Sequence, residues 1–307
     1  MNLVIIGRFP ADTAARIRAF FPPDWKVALT GPDDLCLRDA EALIPEHLPV
    51  NAVLLDRAPK LRMIQTGAGS DNVDLAECTR RGILVCSAAG VNAAAVAEHT
   101  MALILGWFKN IVYLDTFLKA RRDSRELCYS GGELLGKTAG IIGFGRIGQT
   151  TGRIAKALGM KVLAYDLYPN DSGKAIAEYV DLDTLLAQSD VVFLHCNLTA
   201  DNEKMINKAN IAKMKDGAIL INNSRGQLID EQDVTDALKA GKLAAAGLDV
   251  VYTEPIRADN PLLTAPNCII TPHMSWGAKE ARQRIMDCTV DNVRAYLQGA
   301  PINVVNP

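Results

Sequence analysis

Residues Thr138 to Asp166 read T-A-G-I-I-G-F-G-R-I-G-Q-T-T-G-R-I-A-K-A-L-G-M-K-V-L-A-Y-D. A short apolar run of strand length, Ala139 to Ile142, leads into Gly143, Gly145 and Gly148 in the pattern G-x-G-x-x-G. The spacing predicts a helix next, with Ile147, Ile154, Ala155 and Leu158 on one face. Gly159 suits the left-handed residue that follows a helix. A second apolar run, Met160 to Tyr165, ends on Asp166.

Each part has a physical task. Gly143 permits a tight turn, Gly145 lets backbone approach a pyrophosphate, and Gly148 lets helix pack closely on strand. The helix N-terminus offers free N–H groups and partial positive charge to phosphates. Asp166, eighteen residues past Gly148, stands where a carboxylate accepts from a ribose 2′-hydroxyl. It would repel a 2′-phosphate, and Leu167 and Tyr168 supply no arginine to receive one. A lone G-x-G-x-x-G is often only a turn, but strand, helix, second strand and terminal acid in order make this a dinucleotide site selective for NAD(H) over NADP(H).

Working outward, strand-length apolar runs at Leu3–Ile6, Val27–Leu29, Ala52–Leu55, Met63–Ile64 and Ile83–Val85 alternate with helix-like segments at Thr13–Phe20 and Val73–Arg80. Such alternation predicts a parallel α/β unit over the first 88 or so residues, without a glycine fingerprint. A long, unusually apolar helical pattern runs from near Ala93 towards Lys119, which suggests burial between domains or subunits. Arg121 to Gly132 reads as an exposed loop. Past the fingerprint, strands are expected at Val191–Leu194, Ala218–Ile221, Ala244–Leu248 and Cys268–Ile270, with a crossover helix at Glu231–Ala240 and a final amphipathic helix at Gly277–Leu297.

Composition narrows the class. The 307 residues, 49% hydrophobic, suffice for two domains, and a net charge of -2 leaves no electrostatic footprint for nucleic acid. The start lacks the basic region and apolar core of a signal peptide, and the most membrane-like stretch, Ala93 to Phe108, is short and carries Glu98 and His99. Seven cysteines stand singly, with no C-x-x-C, as expected of reduced cytoplasmic thiols rather than disulfides or a metal site. Gly131 to Thr138 matches G-x-x-x-x-G-K-T, but it leads into a strand instead of opening a helix, so its amides form no phosphate nest.

Three residues in the second half suit redox chemistry at a carbonyl: Arg225 in N-N-S-R-G, Glu254 in Y-T-E-P, and His273 in T-P-H. Each follows a predicted strand, at the carboxyl edge where ligands of open α/β sheets bind. Reducing a ketone beside a carboxylate needs a proton donor at the oxygen and a cation on the carboxylate. Histidine exchanges a proton near neutrality, a neighbouring carboxylate orients it, and arginine offers a planar fork. Taken singly, each also fits a plain role: a surface ion pair, a turn acid, a loop histidine. His47 and His99 read as structural, and His195 as at most a residue beside the cofactor.

Taken together, G-F-G-R-I-G, N-S-R-G, G-L-D-V followed by Glu254-Pro255, and T-P-H resemble the D-isomer-specific 2-hydroxyacid dehydrogenases, over a span from about Gly67 to Val305. The resemblance implies two open parallel α/β domains with the active site in the cleft between them. One is a flavodoxin-like substrate domain (1–90 and 276–307), the other a Rossmann dinucleotide-binding domain (91–275). It further implies that Arg225 binds substrate, that His273 is the acid/base and Glu254 its partner, and that Arg146 and Ile147 meet the pyrophosphate through backbone. Cys196 and Ser224 would line the cofactor cleft, and Asp249 would bond the nicotinamide carboxamide. The stretch Thr66 to Asp74, with Ala68 and Gly69, resembles the substrate loop whose amides grip a carboxylate; by itself it is a glycine-rich turn before a helix.

The segment from Thr271 to Asn306 resembles the glycerate dehydrogenase/hydroxypyruvate reductase branch. Trp276 is then either a wall of the pocket or a core aromatic. The first 50 residues and the 121–132 segment depart from that branch, and Asn197 stands where the family usually has proline. The resemblance implies an NADH-dependent reductase of a small 2-keto acid, hydroxypyruvate first and glyoxylate second, working as a cytoplasmic homodimer with no metal, nucleic acid or membrane partner. Two other readings share the architecture: a non-catalytic NAD(H)-sensing corepressor, and a formate or phosphite dehydrogenase. The second, whose substrate needs no ketone-protonating acid, is disfavoured by the glycerate dehydrogenase-like C-terminal segment.

Overall fold

Parallel strands cannot be joined by tight hairpins, so each needs a crossover, and the chain supplies one after another. In the computed structural model, which describes residues 1–7, 11–31, 37–46, 48–67, 69–120, 123, 125 and 131–306, all pairings between the named strands are parallel. The chain divides into two compact units, Met1–Asn92 with Ala278–Pro307, and Ala93–Gly277.

The first unit contains β1 (Asn2–Ile6), α1 (Ala11–Arg18), β2 (Lys26–Thr30), β3 (Ala42–Ile44), α2 (Ala52–Asp56), β4 (Met63–Thr66), α3 (Leu75–Arg80) and β5 (Leu84–Ser87). Its strands lie in the order β2-β1-β3-β4-β5, the flavodoxin-like arrangement. One expected strand is overturned here: Ala52–Leu55 is a helix, and Ala42–Ile44 takes the sheet position. Four consecutive apolar residues fit either conformation. The deciding residue is Asn51, whose side chain accepts from Leu54 N and caps a helix that buries Leu54 and Leu55 while Val53 faces solvent. The last helix of the chain, α11 (Lys279–Leu297), belongs to this unit, and its buried Asn292 donates to Gln65 Oε1 at 2.8 Å on β4.

The second unit contains α4 (Ala93–Phe108), α5 (Ile111–Lys119), β6 (Thr138–Ile142), α6 (Arg146–Ala157), β7 (Lys161–Tyr165), α7 (Asp171–Lys174), β8 (Glu178–Tyr179), α8 (Leu182–Gln188), β9 (Val191–Leu194), α9 (Lys208–Lys213), β10 (Ala218–Asn222), α10 (Glu231–Lys239), β11 (Leu243–Leu248) and β12 (Cys268–Ile270). Its sheet runs β12-β11-β10-β9-β6-β7-β8. Central strands β9 and β10 are buried along their whole length, as expected when helices cover both faces. The strand order reverses between β6 and β9, which places the ligand crevice at the carboxyl ends of those two strands.

The pattern expected to run from Ala93 to Lys119 breaks at Asn110, which sits at φ 52°, giving two helices bent by 59°. Among the described residues no single helix is long and apolar enough to cross a membrane; this bent pair passes that test by length and composition only, and half of α4 lies in the core. Helix α6 also corrects an expectation. Its buried residues are Gly148, Gln149, Thr151, Gly152 and Ala155, whereas Leu158 is exposed and Ile147 and Ile154 are half-buried. Three of these five are glycine or alanine, and a Cβ at Gly148 would strike Gly143 O, so close approach and not a row of large apolar side chains marks the buried face. The Gly131–Thr138 segment runs into β6, so the phosphate-loop look-alike opens no helix.

Candidate active site

The dinucleotide loop is built by two close approaches. Gly143 sits at φ +89°, and a Cβ there would lie 2.3 Å from the backbone nitrogen of Cys196, just past β9. Gly148 has its own constraint, since a Cβ there would lie 2.2 Å from Gly143 O. Gly145, the residue before α6, differs: a Cβ there would meet nothing within 4 Å. Two glycines are therefore needed by the fold, while the third leaves open space at a helix N-terminus, the geometry an approaching pyrophosphate requires. Arg146 and Ile147 begin that helix.

Asp166 closes the loop from β7. Its Oδ2 accepts from Phe144 N at 2.6 Å and its Oδ1 from Tyr168 N at 2.8 Å. A carboxylate has about four acceptor positions, so capacity is left for a ribose hydroxyl. Leu167 and Tyr168 are exposed beside it. On the neighbouring strand, Ser224 Oγ donates to Cys196 O, tying the end of β10 to the end of β9. Burial pushes the half-buried Cys196 thiol up to about 11, so it stays a neutral liner. These residues fit a dinucleotide: an open glycine cradle, an acid at the end of the second strand, and no carboxylate within the loop itself.

His195 lies behind this loop. Its Nε2 is 3.0 Å from Thr151 Oγ1 on α6, its ring stacks on Phe193, and its Nδ1 is sealed from solvent without a partner among the described residues. Burial depresses its pKa from 6.5 to about 4. Between those values the unfolded chain takes up a proton that the folded chain refuses, so stability falls as pH drops through this window. The expected loss is up to roughly 3 kcal/mol. Urea unfolding of wild type and His195→Gln at pH 7, 5.5 and 4.5 would show this slope shrinking in the variant; equal slopes would mean the ring carries its proton in the fold.

The other half of the site lies at the ends of β10, β11 and β12, three strands paired in that order. Arg225 follows β10 in extended backbone, and its Nη1 donates to Ser224 O at 2.7 Å. Asn222 holds this turn from both sides, accepting from Ser224 N at 3.0 Å and donating to Arg225 O at 2.8 Å. Gly226 is dictated by a close approach: a Cβ there would lie 2.0 Å from Val251 C, on the segment after β11. Glu254, four residues further along the chain than Val250, precedes a cis peptide to Pro255.

His273 follows β12. Its Nδ1 lies 2.7 Å from Glu254 Oε2, and both side chains remain partly exposed. The ring is carried on a left-handed backbone, φ 54°, rare for a non-glycine residue and held here by His273 N donating to Asp249 O at 2.7 Å. Trp276 is half-buried, and its indole N–H donates to His273 O at 3.1 Å, so it is tied to the histidine turn. Asp249 is fully buried, accepting from Thr271 Oγ1, Met274 N and Ser275 N at 2.6, 2.9 and 2.8 Å. Sequence reasoning missed this bracing of the His273 turn; the buried aspartate directly after β11 is the one local sign of it.

The glycine-rich loop after β4 lies in the first unit. Ser87 Oγ and Ala88 N both donate to Gly67 O, at 3.0 and 2.9 Å, and Val73 N closes a turn on Ser70 O. Gly69 is half-buried within it, whereas Ala68 and His47 lie outside the described residues. Among the described residues no group of three or more His, Cys, Asp or Glu gathers to hold a metal ion.

Residues 101–275 match the family described as D-isomer specific 2-hydroxyacid dehydrogenase, NAD binding domain. The chain is 46% identical to a hydroxypyruvate reductase of Blautia hydrogenotrophica, over 92% of this chain and 90% of that protein. It is 40% identical to a glycerate dehydrogenase of Methylorubrum extorquens, over 99% and 98%. The crystal structure of a D-lactate dehydrogenase from Aquifex aeolicus, complexed with NAD and lactic acid, superposes with a TM-score of 0.88 at 32% identity, covering 100% of this chain and 99% of that one. A family match over more than half the chain, joined to relatives of this identity along nearly its whole length, shows that it belongs to the D-isomer specific 2-hydroxyacid dehydrogenases and is an NAD-dependent oxidoreductase.

Proposed function

We propose that this chain reduces hydroxypyruvate to D-glycerate with NADH, using His273 as acid/base, Glu254 as its partner and Arg225 as the cation for the substrate carboxylate. The observation that carries the reading is the 2.7 Å contact between His273 Nδ1 and Glu254 Oε2, at the carboxyl edge of the sheet that also bears the glycine loop. A carboxylate only accepts, so Nδ1 carries a hydrogen and Nε2 is the nitrogen that exchanges a proton. NADH, when bound, supplies the hydride to the ketone carbon. As negative charge grows on the ketone oxygen, His273 gives it the proton from Nε2, and Glu254, accepting from Nδ1, holds the ring in place. In the reverse direction the neutral ring takes that proton back.

Arg225 matches the substrate carboxylate through its planar fork, and the resemblance adds Gly69 and Ala68 as backbone donors to the same group. The proposed division of labour gives residues 1–90 and 276–307 to the substrate and 91–275 to NAD, with Cys196, Ser224 and Asp249 beside the cofactor. The 2-hydroxymethyl arm of hydroxypyruvate is supported by the Thr271–Asn306 resemblance and by the two relatives named above; Trp276 is the proposed wall of its pocket. A homodimer in a cytoplasmic setting belongs to the same proposal. It is supported by Ile111, Val112, Tyr113 and Leu118, large apolar side chains exposed on α5. A monomer mass by light scattering would end the dimer.

The test follows NADH absorbance against hydroxypyruvate, glyoxylate, pyruvate and bulkier 2-keto acids. A maximum on hydroxypyruvate is expected. A maximum on glyoxylate or another acid would keep the chemistry and overturn the substrate; silence on every acid with NADH still bound would favour the sensor reading. Asp166→Ala is expected to lower the NADH/NADPH ratio of kcat/KM at least tenfold, because a charge-assisted hydrogen bond of about 1.5–3 kcal/mol and a repulsion of the 2′-phosphate are lost together. An unchanged ratio would remove Asp166 from cofactor selection.

A further inference from the structure

We propose that His99, on α4, is a positioning residue for the acid/base histidine, acting through Thr271 and the buried carboxylate of Asp249. The inference rests on the assignment of His273 above. His99 Nε2 lies 3.0 Å from Thr271 Oγ1 and 3.7 Å from Asp249 Oδ1. Thr271 Oγ1 in turn lies 2.6 Å from Asp249 Oδ1.

The direction of these bonds follows from donor counting. A carboxylate accepts only, and a hydroxyl has one hydrogen, so Thr271 gives that hydrogen to Asp249. Its oxygen is then an acceptor towards His99, and Nε2 must be the nitrogen that bears hydrogen. The chain of donors runs His99 to Thr271 to Asp249.

Asp249 is where this relay bears on the chemistry. Its two carboxylate oxygens take the N–H groups of Met274 and Ser275, and its backbone oxygen takes that of His273. Three successive backbone N–H groups of the turn that carries the left-handed His273 therefore meet one residue. A non-glycine residue at positive φ persists only where its surroundings over-determine it. His99 fixes the hydroxyl that fixes the carboxylate, and it reaches across from a helix that packs on β10 and β11. Its ring keeps some exposure, so its place on an apolar helix is not explained by filling the core.

The test compares His99→Leu, His99→Gln and Thr271→Val, with kcat and KM on the best keto acid and NADH binding by fluorescence. Glutamine places an N–H donor near the position of imidazole Nε2, so it should restore what leucine removes. His99→Leu is expected to lower kcat about tenfold, within the 10²-fold range that a 1 Å misplacement of a reacting group can cost, with KM and the NADH Kd changed less than threefold. His99→Gln should return to within threefold of wild type. His99→Leu should add nothing to Thr271→Val, since both interrupt one relay. The inference falls if His99→Leu keeps kcat within twofold of wild type, if glutamine does no better than leucine, or if the double variant is additive. Should leucine fail to fold, the glutamine rescue is replaced by His99→Gln against His99→Asn, where asparagine is too short to reach Thr271 and must show the loss. His273→Ala separates the two assignments: turnover in that variant ends the acid/base reading, and this one with it, whereas an inactive His273→Ala beside a fully active His99→Leu ends only this one.

Discussion

His273→Ala is expected to lower kcat for keto-acid reduction by about 10²–10⁴-fold, the range general acid–base catalysis supplies, while the NADH Kd stays within about threefold of wild type. The side chain removed is the one whose Nδ1 contacts Glu254, so the proposed proton donor and its orientation vanish together. The backbone that carries it is retained. Its nitrogen still donates to Asp249 O and Thr271 O, and alanine at φ 54° is under the same constraint as histidine. The glycine loop and Asp166 lie at the ends of other strands, β6 and β7. Stopped-flow reduction beside a fluorescence titration of NADH would read both quantities. Turnover near the wild-type rate would remove His273 from the chemistry.

Arg225→Lys is expected to lower kcat/KM for the keto acid about 100-fold, chiefly through KM. Lysine keeps the charge and loses the fork: a bidentate pair with a carboxylate becomes a point contact, and charge-assisted bonds of about 1.5–3 kcal/mol correspond to roughly 10- to 150-fold in affinity. The substitution also removes a local anchor, since Arg225 Nη1 holds Ser224 O at 2.7 Å. The rest of the turn survives, because Asn222 bonds Ser224 N and Arg225 O through the backbone of those residues. Steady-state kinetics with NADH saturating would isolate the effect, and a KM within threefold of wild type would show that another group holds the carboxylate.

The β6-α6-β7 unit was legible because its tasks fall on single residues that no other type performs: a glycine at φ +89° pressed on Cys196, another pressed on Gly143 O, an acid at a strand end. Six of the seven strands of the second sheet were legible too, β9 and β10 most plainly, since a strand buried on both faces is an unbroken apolar run; the two-residue edge strand β8, Glu178–Tyr179, has no such run and was missed. The same feature misled at Ala52–Leu55, where an apolar run of four belongs to a helix and only the Asn51 cap separates the two conformations. Apolar spacing misled at α6, where Leu158 looked like part of the packed face and is exposed, while glycine, alanine, threonine and glutamine are buried.

In the site, residue types with distinctive chemistry stood out, and their order along the chain placed them at strand ends. What could not be read was the bracing beneath them. Asp249, Thr271 and His99 meet only because β11 and β12 pair in one particular register, Leu248 with Ile270, which brings the residues just past each strand to the same level. Their separations in sequence, 22 and 172 residues, carry no trace of that.

The three chemical groups are carried past the ends of β10, β11 and β12, neighbours in one all-parallel sheet. The 29 residues from Arg225 to Glu254 and the 19 from there to His273 thus measure the return journeys between strands, not anything the reaction requires. Each return passes behind the working edge, through α10 in one case and a short 3-10 turn at Pro261–Thr264 in the other. Insertions there would lengthen the route without moving its endpoints. What brings such groups together is the shared edge where neighbouring strands end, and not the number of residues between them.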